Sequence, residues 1–111
     1  MLSDQQYKDM VAQIGRMNIL SISGGRVIKM SKGVRLPVSA GISVVVELAA
    51  NDTYIVRREF MRKVRGVETI FHHGQRTNVY CEQLAETAYV AGMYKSYGKG
   101  QAWVDEAARR V

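Results

Sequence analysis

The chain has 111 residues, 47% of them hydrophobic and 23% charged, with a net charge of +6 and a single cysteine. That length suits one domain, and the composition excludes a disordered chain. The longest nearly apolar run, residues 42–50, is broken by Glu47 and too short to span a bilayer, and a lone Cys81 excludes an internal disulfide.

The first element in chain order is a helix over residues 3–15. Ser3 or Asp4 caps it, and Tyr7, Met10, Val11 and Ile14 recur at the spacing of one buried stripe. Gly15 offers the stop. Short strands follow at residues 17–23 and 26–30, joined by the turn pair Gly24-Gly25, and at residues 34–38. Pro37 lacks an amide donor and demotes that last segment to an edge strand or connector. Residues 42–49 read as the best strand, with Ile42, Val44, Val46 and Leu48 facing one way and Ser43, Val45 and Glu47 the other.

The stretch "IVRREFMRKVRG", residues 55–66, alternates like a strand yet carries Arg57, Arg58, Arg62, Lys63 and Arg65. Parity puts Tyr54, Val56, Arg58, Phe60 and Arg62 on one face and Ile55, Arg57, Glu59, Met61 and Lys63 on the other, so the cations are divided. With a hairpin at Arg65-Gly66 and a strand over residues 67–71, this segment completes a three-strand meander. A helix capped by Thr77 or Asn78 then runs to about Tyr94 or Tyr97. Tyr80, Leu84, Ala88 and Ala91 form its buried stripe, flanked by Cys81, Ala85 and Gly92. Residues 98–111 form a short helical tail in which Asp105–Arg109 and Glu106–Arg110 are favourable i, i+4 pairs.

Templates for catalysis and metal binding fail. There is no P-loop, dinucleotide fingerprint, H-E-x-x-H or C-x-x-C. His72 and His73 point to opposite faces of a strand and cannot readily chelate one ion. Cys81, beside Leu84 and Ala85, reads as a small hydrophobe rather than a nucleophile. No cofactor or metal is expected, and the chain is read as a non-enzyme. Tyr54, Phe60, Phe71, Tyr80 and Tyr89 are expected to build the core.

Two basic segments qualify as binding surfaces. The hairpin cations, joined by Arg76, can grip phosphates, or else act as the solvated side of a sheet paired with Glu59 and Glu68. The segment "YKSYGKGQAW" mixes Tyr94, Tyr97 and Trp103 with Lys95 and Lys99, which suits stacking on single strands or a C-terminal clasp with Trp103 folded back.

Residues 41–60, "GISVVVELAANDTYIVRREF", and 77–96, "TNVYCEQLAETAYVAGMYKS", resemble small uncharacterised proteins of actinobacteriophages, particularly mycobacteriophages. In those an "NDTY.VRR.F" strand precedes a "V…E.AY.A..Y" helix. The matching positions are Asn51, Asp52, Thr53, Tyr54, Val56, Arg57, Arg58 and Phe60, then Val79, Glu86, Ala88, Tyr89, Ala91 and Tyr94. The resemblance implies an origin and no mechanism.

The expected protein is a single α+β domain over residues 1–111, a curled antiparallel sheet packed against a C-terminal helix with an N-terminal helix nearby. Its expected job is that of a phage accessory protein in the cytoplasm of the bacterial host, binding a host protein and inhibiting host growth. The alternatives are a nucleic-acid-binding module using the basic hairpin, and a minor virion protein that forms homo-oligomers. No membrane partner is expected.

Overall fold

The computed structural model describes residues 1–93 and 102–110. Among these, the elements run α1 (Asp4–Ile14), α2 (Arg16–Ser23), β1 (Ile28–Lys29), β2 (Gly33–Ser39), β3 (Ile42–Leu48), β4 (Tyr54–Val64), β5 (Val67–Val79), α3 (Cys81–Met93) and α4 (Ala102–Arg110). The five strands form one antiparallel meander in sequence order. The architecture is α+β, with the helices gathered on one face of an open sheet. Met10 and Ile14 of α1, Ile19 and Ile22 of α2, Leu84, Ala88 and Ala91 of α3 and Trp103 of α4 share one core with Val34, Leu36, Val44, Val46 and Val56 of the sheet.

The start of the chain follows local rules. The Ser3 hydroxyl accepts from the Gln6 amide at 3.1 Å, and the Gln6 side chain accepts from the Ser3 amide at 2.9 Å, a reciprocal cap on α1. Residues 17–23, expected as a strand, form α2 instead. Gly15 at φ +96° breaks one helix and admits another at once. The Asn18 amide then donates to the carbonyls of Ile14 at 2.9 Å and Ala85 at 3.1 Å, joining both helices to α3. The side chain of Ile22 fills the space where a Cβ on Gly92 would stand, 3.0 Å away. Tertiary packing thereby overrides the alternation of "MNILSIS". Gly24-Gly25 serves as a helix C-cap rather than a strand turn: their amides donate to the Leu20 and Ile19 carbonyls.

Among the described residues the meander has five strands, because the strands expected at residues 26–30 and 34–38 join the three-strand unit as β1 and β2. Pro37 lies on β2 beyond Val34 and Arg35, the two positions that pair with β1, so its missing amide faces no neighbouring strand. At the other edge, β5 continues to Val79 where a helix start was expected near Thr77. Two bulges carry it there. Pairing passes from Glu59–His72 to Arg57–Gln75, and from Val56–Arg76 to Tyr54–Val79, each time with one extra residue in β5. Gly74 at φ +94° and Asn78 at φ +53° occupy those irregular places. Of the stripe expected for α3, Leu84, Ala88 and Ala91 are buried, but the helix starts only at Cys81 and leaves Tyr80 outside it. Tyr80 is 55% exposed and Cys81 is exposed, while Thr87 and Val90 are buried. Phe71, also expected in the core, lies partly exposed on the far part of β5.

Tyr54 ties the two layers together, its hydroxyl hydrogen-bonded to the Gln13 side chain of α1. Burial, and then the negative charges of Cys81 and Asp9, raise the phenol above its usual 10.0. The folded protein therefore holds this proton more tightly than the unfolded chain, and the associated stability is present below about pH 10 and lost as pH rises through the folded value. Chemical denaturation between about pH 8 and 11 should show a falling unfolding free energy, and Tyr54→Phe should flatten that decline.

Candidate binding surface

β4 distributes its cations by parity, and each meets a different fate. Arg58 shares the core face with Tyr54 and Val56 and is only 1% exposed. Arg57 lies on the opposite, helix-free face within a charged network. Arg35 Nη2 donates to Glu59 Oε1 at 2.8 Å, Arg57 Nε donates to Glu59 Oε2 at 3.2 Å, and Arg57 also pairs with Glu47. His72 Nδ1 stands 3.8 Å from Glu59 Oε2. Burial alone would lower the Arg57 guanidinium, but hydrogen bonds and charge from Glu47 and Glu59 outweigh it and hold it above its usual value.

This network explains an apolar residue on the wrong face. Val45 points away from the helices yet is fully buried, because in register it lies between Arg35 of β2 and Arg57 of β4. Arginine stems cover such a site while their heads stay polar. Arg76 is likewise engaged, donating to the buried Thr87 hydroxyl at 2.8 Å and so linking β5 to α3. Trp103 folds back in the manner of a clasp: it is buried, and its indole N–H donates to the His73 carbonyl. Tyr94, Lys95, Tyr97 and Lys99 lie outside the described residues.

What remains for contact is the far end of the β4–β5 hairpin. β3 stops at Ile42, opposite Phe60, and its last tie to β4 is the Met61 amide donating to the Gly41 carbonyl at 2.9 Å. Residues 62–69 continue past the sheet as a two-stranded ribbon, roughly 13 Å long at the usual rise per residue. Its tip is a two-residue turn in which Arg65 (φ +52°) and Gly66 (φ +80°) both take left-handed backbone. Arg62, Val64, Val67 and Thr69 lie on one face, and Lys63 and Glu68 on the other. The Arg62 guanidinium sits 5.2 Å from the centre of the Phe71 ring. Val67 is 65% exposed at the tip. At the root, Phe60 stacks on His73 with ring centres 5.7 Å apart.

Sequence parity separates Arg57 from Arg58, and the expected burial of Tyr54 and Phe60 points to the face the helices cover. The outward projection of the ribbon, the apolar tip residue Val67 and the burial of Arg58 depend on where β3 ends and α3 lies.

Among the described residues, no group of three or more His, Cys, Asp or Glu could hold a metal ion, and no helix is long and apolar enough to cross a membrane. A hollow of about 560 Å³ beside the start of α1 is lined by Leu2, Gln6, Ser31, Lys32, Glu47 and Asp52, among others. In comparisons with known proteins, the chain matches no family model, no curated protein and no solved structure.

Neutralising the centre of the network tests its weight. Glu59→Gln leaves Arg35 and Arg57 facing an amide on a nearly buried site and should destabilise the protein by about 2–3 kcal/mol in urea titration. A loss below about 0.5 kcal/mol would mean the arginines are held by solvent instead.

Proposed function

We propose that this chain is a non-enzymatic phage accessory protein that acts in the bacterial host's cytoplasm by binding an acidic surface of a host protein, inhibiting host growth, with the β4–β5 ribbon as its contact element. The phage origin rests on the resemblance of residues 41–60 and 77–96. The observation that carries the binding element is the ribbon itself, which projects beyond β3 with Arg62, Lys63 and Arg65 beside the exposed Val67. Cations set next to apolar side chains suit a protein surface better than a bare phosphate backbone.

At the tip, Arg65 takes a left-handed conformation that costs about 1 kcal/mol relative to the asparagine or glycine such turns prefer. Nucleic acid is the second reading, favoured by the ribbon's cations. Of the cations first grouped with it, however, Arg57, Arg58 and Arg76 are committed inside the fold, which leaves Arg62, Lys63 and Arg65.

Two measurements test this reading. In fluorescence anisotropy with labelled single- and double-stranded DNA between about 50 and 200 mM salt, three cations allow a log–log salt slope of no more than about 3, and a markedly steeper slope would favour the nucleic-acid module. In affinity capture from host lysate, the specific partner should be lost with Arg65→Asn and with Val67→Asp. Arg65→Asn should meanwhile stabilise the folded protein by about 1 kcal/mol. Retention of the partner by both variants would overturn the ribbon as the contact element.

A further inference from the structure

The two edges of the sheet are treated differently. On one side, β1 is only two residues long and β2 carries Pro37, both of which discourage a further strand. On the other side, β5 is thirteen residues long. From His73 onward it is bulged, and Trp103 occupies the His73 carbonyl. Between Val67 and His72 it has neither proline, lysine nor bulge, and Ile70 is 46% exposed there.

Hydrogen-bond direction identifies what this open stretch presents. The Met61 amide points toward β3, so its neighbours Phe60 and Arg62 direct their backbone groups to Phe71 and Thr69 of β5. Glu68, Ile70 and His72 therefore turn their amides and carbonyls outward. Their side chains all lie on the helix-free face, opposite Lys63, Met61 and Glu59 respectively.

We propose that this edge pairs with the same edge of a second copy, antiparallel and centred on Ile70, to form a continuous ten-stranded sheet. That register is self-complementary. Ile70 meets Ile70 of the second copy, flanked by the exposed Met61 of each chain, so an apolar strip crosses the seam. Glu68 meets His72 of the other copy, which makes the row across the seam Lys63, Glu68, His72, Glu59, a sequence of alternating charge whenever the histidine is protonated. Sliding by two residues at the centre sets Glu68 against Glu68, or His72 against His72 with Ile70 facing the bulge at Gly74. Centring on Thr69 or Phe71 sets Ile70 against Glu68 or His72, so the Ile70 register alone both joins the apolar strip and pairs Glu68 with His72. The inference rests on the edge and not on the partner proposed for the ribbon tip.

A seam of this length belongs to the small, transient interfaces, with a dissociation constant on the order of 10–100 μM. Sedimentation velocity from about 10 to 500 μM should show a reversible monomer–dimer shift, and Ile70→Pro should abolish it while leaving the circular dichroism spectrum intact, since the amide it removes points outward. A cysteine trap reports the register. In a Cys81→Ser background, Ile70→Cys places two sulfurs on Cα atoms about 5.5 Å apart, within disulfide range, whereas His72→Cys places them roughly 14 Å apart. Under mild oxidation by a copper–phenanthroline complex, the first should form covalent dimer at least tenfold faster than the second. A chain that stays monomeric at the highest concentration, or equal cross-linking of the two variants, overturns the proposal.

Discussion

The carboxylate of Glu59 is the constraint on which the helix-free side of the sheet depends. It is nearly buried on a face with no helix above it, and two arginines from β2 and β4 converge on its oxygens. Without them an ionised carboxylate could not occupy that place at tolerable cost. With them, three strands are tied side to side, and the arginine stems keep water from Val45. A two-layer α+β protein usually leaves its outer sheet face to solvent; here salt bridges and aliphatic stems replace the missing layer.

The same arrangement divides the basic stretch of β4 into structural and available parts. Arg57 is committed to the network and Arg58 to the helix side, and past Phe60 the sheet loses β3 as a neighbour. Beyond that point nothing in the described chain covers the hairpin faces, so cations and apolar residues stand together in the open. The bulges in β5 serve this division. Each adds a residue and a bend, so the strand follows the curled sheet under α3 and α4 while its first half runs straight into the ribbon.

The network and the ribbon differ in how far parity could reveal them. Alternation along residues 54–63 was enough to separate Arg57 from Arg58 and to show that the basic stretch is no single patch. It also marked the face of Tyr54, Val56 and Phe60 as the apolar, packed one, where Tyr54 and Val56 are indeed buried, but it did not show that Arg58 would be buried among them. Arg76 looked like a companion of the hairpin cations because it is close in sequence. Its hydrogen bond to Thr87 follows from the packing of α3 on β5, which pairs residues on separate elements.

The sequence by itself determined the capped first helix, the strand alternation of β3 and β4, the two-residue hairpin at Arg65-Gly66 and the α+β class, because caps, period-two patterns and turn residues act over a few neighbours. Tertiary structure decided the rest. It made "MNILSIS" a helix, since Ile19 and Ile22 gain more by packing on α3 than the segment gains from its alternation. It also carried β5 through two bulges to Val79, because edge pairing with β4 continues for as long as Gly74 and Asn78 can take left-handed backbone. Those outcomes depend on partners distant in the chain, and no local pattern records them.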